Sequence, residues 1–258
     1  MRTRWPAVSL AFAIIVAAPG LRSAAWAETL VETNVDSRLN LQFRVAEAAL
    51  KSWVPAPWQI NPATSGAAKD ANLTVVLLQR LLVLGADGKP TAGPTHRTVA
   101  LVVPAKNTQT DESAPMVIRV FTADPQGVPG PYKNSVRASV RRDLTLKGEG
   151  NEPGAGSEHW QMQTDGGSIE VQLAYQRGVP SRSKAESKVY SAVEPTFFRL
   201  YRVDQGMDVV KSVPAGIDRV QSYRFRSTVT ELARLFDGSE QLIAVSVIPW
   251  YVREVRLP

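Results

Sequence analysis

The sequence predicts an α+β protein that is mainly antiparallel β, a closed or half-closed barrel with two short helices. Three observations carry that prediction. Apolar and polar residues alternate at every second position through much of the chain, clusters of Gly, Pro, Asp and Asn recur between those stretches, and only two short segments carry a helical signature. With 258 residues, 44% of them hydrophobic, and no cysteine, the chain must rest on an apolar core, and disulfide scaffolds and thiolate metal sites are excluded.

Residues 1–27 read as a secretory signal peptide. Arg2 and Arg4 precede an apolar stretch from Ala7 to Ala18, Pro19-Gly20 breaks it, and Ala25-Trp26-Ala27 supplies a small-x-small cleavage pattern. The apolar stretch is shorter than the roughly 20 residues that a membrane-spanning helix needs. Cleavage after Ala27 is expected, with a periplasmic or secreted product, residues 28–258 as one β-rich domain, and no membrane span left in it. Retention of the segment as an uncleaved anchor is the alternative.

Arg38 to Val45 alternates, with Leu39, Leu41, Phe43 and Val45 on one face, as a half-buried strand requires. Ala46 to Trp53 reads as the first helix, stopped by Val54-Pro55-Ala56-Pro57 because a proline disfavours helical geometry in the residue before it. Leu73 to Leu84 is nearly continuously apolar, interrupted at Gln79-Arg80, and reads as a strand buried on both faces. It turns at Ala86-Asp87-Gly88-Lys89 toward a partner at Arg97 to Val103.

Met116 to Thr122 and Ser135 to Val140 are further strands, with Asp124-Pro125-Gln126-Gly127 closing the first. Glu149 to Ser157 reads as a loop, and Glu158 to Gln163 with Ser168 to Tyr175 form a hairpin about Asp165-Gly166-Gly167. Gly178 to Lys188 is polar and basic and is expected to be a mobile loop. Pro195 to Val203 and Met207 to Val213 read as a hairpin about Asp204-Gln205-Gly206. Thr228-Val229-Thr230-Glu231 fits a capping box opening the second helix, with Val229, Leu232, Ala233 and Phe236 on one face and Asp237-Gly238 at its end. The last strand, Gln241 to Val247, is expected to stop at Pro249.

Motifs for common chemistries are absent: no G-x-S-x-G, no H-E-x-x-H, no phosphate-binding P-loop and no EF-hand loop. A histidine-based metal centre needs two or three converging ligands, and the two histidines, His96 after a loop and His159 at the start of a strand, read as surface or hydrogen-bonded residues, so neither metal nor cofactor is expected. The net charge of +6 invites a nucleic-acid reading, but Arg2, Arg4 and Arg22 of the leader supply three of those charges. No nucleic-acid motif interleaves aromatics with the remainder, and nucleic acid is not an expected partner. Arg137, Arg141 and Arg142 cluster, as do Arg177, Arg182, Lys184 and Lys188. Guanidinium groups pair bidentately with carboxylate or phosphate, so these clusters are candidate anion sites, or else solvated strand faces.

Arg44-Val45-Ala46-Glu47-Ala48-Ala49-Leu50 leading to Val54-Pro55, then the strand from Leu73 and the Asp87-Gly88-Lys89 turn, resembles the start of acetoacetate decarboxylase-like proteins. The Thr228 to Phe236 segment, Leu242-Ile243-Ala244-Val245 and Pro249-Trp250-Tyr251 are compatible with the end of that fold, so the resemblance spans residues 38 to 253. It implies a cone-like barrel around an apolar pocket and, in the decarboxylases, a lysine of depressed pKa that forms a Schiff base with a keto acid. The family's G-R-E segment followed by G-x-P-K-K is not present. The nearest counterpart is Pro129-Gly130-Pro131-Tyr132-Lys133-Asn134, which makes Lys133 the candidate Schiff-base lysine, with Tyr132, Arg137, Arg141 and His96 as candidate ligand contacts. The expected function is binding of a small organic acid, or a similar anionic and apolar ligand, without decarboxylase activity. The alternatives are a Schiff-base lyase using Lys133, and a cell-envelope interaction protein using the Arg177 to Lys188 segment on anionic partners.

Overall fold

The computed structural model describes residues 28–91, 96–126 and 132–258. The expected signal peptide with its cleavage site, and the Pro129-Gly130-Pro131 turn ahead of Lys133, lie outside the described residues.

Strand β1 (Thr29–Arg44) leads into a one-turn helix α1 (Glu47–Leu50) that tightens into a 3-10 turn at Lys51–Trp53. There follow β2 (Trp58–Ile60), β3 (Leu73–Gly85), β4 (Arg97–Asn107), β5 (Ser113–Thr122), β6 (Ser135–Arg137) and β7 (Ser139–Lys147). Then come β8 (Ala155–Thr164), β9 (Gly167–Gln176), β10 (Ser181–Ser191), β11 (Phe198–Ser212), β12 (Ile217–Asp218), β13 (Val220–Ser227) and, after a 3-10 turn at Thr230–Leu232, β14 (Gln241–Leu257).

The larger sheet runs β4-β3-β1-β14-β11-β10-β5, and β5 pairs back onto β4, so these strands form a ring. The β5–β10 seam is parallel and short, joining Met116 to Tyr190 and Val117 to Ser191. The smaller sheet has the order β13-β9-β8-β7 and packs on the outside of the ring. Alternation along each ring strand decides which side chains go where. Leu39, Leu41 and Phe43 of β1, with Leu73, Val75 and Leu77 of β3, meet Trp160, Met162, Ile169 and Val171 of the smaller sheet in one apolar core. The intervening positions point into the ring, where Val117, Val120, Val189, Tyr201 and Tyr251 form a second buried cluster. Among the described residues no helix is long and apolar enough to cross a membrane.

The predicted strand and turn grammar is largely observed, and the departures have local causes. The basic segment Gly178 to Lys188 is not a loop: Ser181 to Tyr190 pairs residue by residue with Met207 to Phe198. Its charges are answered by neighbours, Arg182 and Lys184 by Asp204 and Lys188 by Glu112. Asp204-Gln205-Gly206 is not a turn either, because β11 runs straight through it. Gly206 is needed there for close approach, since a Cβ would lie 2.5 Å from the indole nitrogen of Trp250. Pro249 does not end β14: it sits in a bulge, where register shifts on both neighbours absorb the missing donor.

The late helix is reduced to the 3-10 turn. The Thr228 hydroxyl, instead of capping, accepts the Ser168 amide at 2.9 Å, and Glu231 pairs with Arg119 rather than reaching back. Val229, Leu232, Leu235 and Phe236 are the buried residues of that segment, and Ala233 is exposed. The Ser135 to Val140 strand breaks at Ala138, where the chain crosses from the ring to the smaller sheet. Strand β3 is covered on both faces only in its first part, for Leu81 is 52% exposed.

Candidate functional site

The ring encloses a cavity of about 240 Å³. Its lining is mostly apolar, with Val76 and Leu78 of β3, Ala100 and Val102 of β4, Val117 of β5 and Val189 of β10. Within it stand Arg38, Arg80 and Arg253 with the rings of Tyr201 and Tyr251.

Asp36, fully buried on β1, is the centre of that polar group. Arg38, two residues along and on the same face, places Nη2 2.6 Å from Asp36 Oδ2. Pairing of β1 with β3 sets Asp36 opposite Arg80, and pairing with β14 sets it opposite Tyr251. Two residues further along β14, Arg253 brings Nη2 to 3.9 Å from the same carboxylate oxygen. Tyrosine rings flank two of the cations: the Arg38 guanidinium lies 3.4 Å from the centre of Tyr251, and that of Arg253 4.5 Å from the centre of Tyr201.

One carboxylate does not satisfy this set. The Nε atoms of Arg38, Arg80 and Arg253 and Nη2 of Arg253 are buried without a hydrogen-bond partner, and Asp36 Oδ1 is left without one as well, so the three cations exceed the single carboxylate in charge and their geometry does not pair them with it fully. Burial, and then the positive charge of Arg253, hold the Arg80 guanidinium below its ordinary pKa. Such groups are costly to bury unless something accepts from them.

At the edge of the cavity the hydroxyls of Tyr132 and Tyr201 lie 2.7 Å apart. Burial, followed by Tyr201, pushes the Tyr132 phenol well above its ordinary value, so Tyr132 stays neutral and serves as a hydrogen-bonding group.

Of the residues singled out from sequence, Tyr132 lines the cavity. Lys133 is exposed, has φ 51° and pairs with Glu194 outside the cavity. Arg137 is exposed and donates to the Ala123 carbonyl at 3.2 Å. Arg141 is exposed on β7 of the smaller sheet and pairs with Asp143. His96 is half-buried, and its carbonyl accepts the Arg80 amide at 2.8 Å. The structure therefore does not bring Lys133, Arg137, Arg141 and His96 together, and the described lining contains no lysine. Asp36 and Arg253 fall outside the strands expected from sequence and Arg38 stands at the start of one, while Arg80, interrupting the longest apolar run, was a signal.

A second recess, of about 270 Å³, lies between the ring and the smaller sheet. Its buried Arg142 is paired throughout: Nη2 is 3.0 Å from Glu158 Oε2, Nε donates to the same oxygen at 3.1 Å, and Nη1 reaches Ser37 and Gln79.

No family model matches the chain, and no curated protein matches it. Solved structures do. An acetoacetate decarboxylase-like enzyme from Sphingomonas wittichii RW1 superposes with a TM-score of 0.54 at 12% identity, over 89% of this chain and 93% of that one. The fold is acetoacetate decarboxylase-like. The enduracididine biosynthesis enzyme MppR, in a complex with pyruvate, gives 0.54 at 10% identity over 94% and 93% of the two chains. Acetoacetate decarboxylase from Legionella pneumophila gives 0.50 at 9% identity over 93% and 90%. At such identities the likeness concerns the path of the backbone. In this acetoacetate decarboxylase-like barrel the arginines around Asp36 must therefore be read on their own chemistry.

Proposed function

We propose that this protein is an exported, acetoacetate decarboxylase-like barrel that binds a small organic acid in the ring cavity and does not act as a decarboxylase. The observation that carries the reading is the cluster of buried guanidinium groups, with N–H donors left over in a mostly apolar lining. A carboxylate accepts from those donors, and a short carbon chain fits the apolar lining. The hydroxyls of Tyr132 and Tyr201 are placed to meet a keto or hydroxy oxygen. The pyruvate complex of MppR is consistent with an acid in such a barrel. Amine catalysis is not part of the proposal, since Lys133 is held by Glu194 at the surface.

The test is a thermal-shift and calorimetric screen of short keto and hydroxy acids against the purified protein. Saturable stabilisation by at least one acid, lost in Arg253→Met, is expected. A flat response across the panel, or one that Arg253→Met leaves intact, would remove the basis of the reading.

A further inference from the structure

The charge inside the ring points to a narrower ligand class. The inner face buries Arg38, Arg80, Arg199 and Arg253, each at 8% exposure or less. Arg199 belongs to the same face of β11 as Tyr201 and Val203, and its Nε and Nη1 also lack partners. Against these cations stand Asp36, fully buried, and Glu32, half-buried two turns of the alternation earlier on β1. Glu32 is itself occupied in part, accepting from Asn34 at 3.0 Å. The inner face is thus two positive charges in excess.

A monocarboxylate would neutralise only one of them. Inside a cavity the remaining charge is screened far less than at the surface, so its compensation is worth more than tenfold in affinity even at an effective dielectric constant of about 20. The placement of the cations adds a second constraint. Among the described lining residues, the charged ones are Arg38, Arg80 and Arg253, all gathered about Asp36, and the rest of that lining carries no charge. Two negative charges at opposite ends of a long ligand would put one of them beyond the reach of these arginines. Both charges must therefore sit close together.

We propose, building on the reading of the ring cavity as an organic-acid site, that it selects compact dianions over monoacids of the same size. A vicinal dicarboxylate and a phosphomonoester share that chemistry.

Calorimetric titration of the purified protein with butyrate, succinate, propyl phosphate and adipate, at one ionic strength, tests the proposal. Succinate or propyl phosphate is expected to bind at least about tenfold more tightly than butyrate, and whichever is the stronger identifies the head group. Adipate, whose carboxylates are too far apart to share the arginines, is expected to bind more weakly than succinate. In Arg80→Met the ratio of dianion to butyrate affinity should fall toward one. Butyrate binding as tightly as both compact dianions, or a ratio unchanged in Arg80→Met, would overturn the selectivity while leaving organic-acid binding in place. No binding by any of the four, together with a flat keto- and hydroxy-acid screen, would overturn both.

Discussion

The protein buries arginine in two places, and the two are built differently. Between the layers, Arg142 has one carboxylate of its own, Glu158, which also accepts from the Trp160 indole at 2.7 Å. Inside the ring, Arg38, Arg80 and Arg253 converge on a single Asp36, and donors are left without partners. Burial is equally deep at both, for Arg142 and Arg253 each have side chains 4% exposed. The balanced pair has a structural account: removing either partner strands a charge in the interior. The unbalanced cluster has none, because repelling cations weaken a fold. What distinguishes a site from a strut here is not the residue type or its burial but whether the molecule supplies its own counter-charge.

That contrast breaks most sharply under substitution of one arginine from each place. Arg142→Met leaves Glu158 buried without its cation and is expected to destabilise the protein by about 3 kcal/mol in urea denaturation. Arg80→Met relieves repulsion from Arg253 and is expected, without added ligand, to be neutral or to stabilise by about 1 kcal/mol. Equal losses at the two positions would erase the distinction drawn between them.

The pH dependence sharpens the same comparison. Burial pushes the Glu158 carboxyl above its ordinary value of 4.5, with Arg142 the chief opposing influence. The folded protein therefore holds this proton at pH values where the unfolded chain has released it. The contribution of Glu158 to stability is then greatest below about pH 4.5 and is lost as pH rises through the folded value. Without Arg142 the folded value rises further, so Arg142→Met should lose less stability at pH 5 than at pH 8 when each is compared with the wild-type protein. A loss independent of pH would show that the two groups are not coupled.

The smallest effect is expected outside both places. Lys133 and Glu194 form an exposed pair, and Lys133→Ala should change stability by less than about 1 kcal/mol. Borohydride treatment in the presence of a keto acid should leave Lys133 without added mass, and an adduct there would restore the Schiff-base reading.

The ring and its turns were legible because alternation and turn chemistry are local properties. The β8–β9 hairpin, the Ala46 to Trp53 helical turn and the β3–β4 pairing followed from neighbours in sequence. The failures were decided at a distance. Thr228 caps nothing because Ser168 occupies its hydroxyl, and Gly206 marks no turn because Trp250 lies over it. The basic segment is a strand because Asp204 and Glu112 meet its charges across the sheet. The site itself was hidden by a more general ambiguity. Period 2 says that Leu39 and Arg38 face opposite ways, yet here both directions are buried, the outward one in the core beneath the smaller sheet and the inward one in the cavity. Alternation alone therefore does not tell polar positions such as Asp36, Arg38 and Arg80 from solvated ones, and it is closure of the sheet that encloses them. Tyr132 was reached only as the neighbour of Lys133, and the structure turns one into the cavity and the other out.

The central claim is that the arginines around Asp36 hold an acid, and one measurement tests it most directly: calorimetric titration of succinate into the wild-type protein and into Arg80→Met. Saturable binding by the wild type, weakened at least about tenfold by the loss of one buried guanidinium, is the predicted result. Binding of equal strength in the two proteins would contradict it, because the ligand would then be seated somewhere other than on the unpaired cations of the ring.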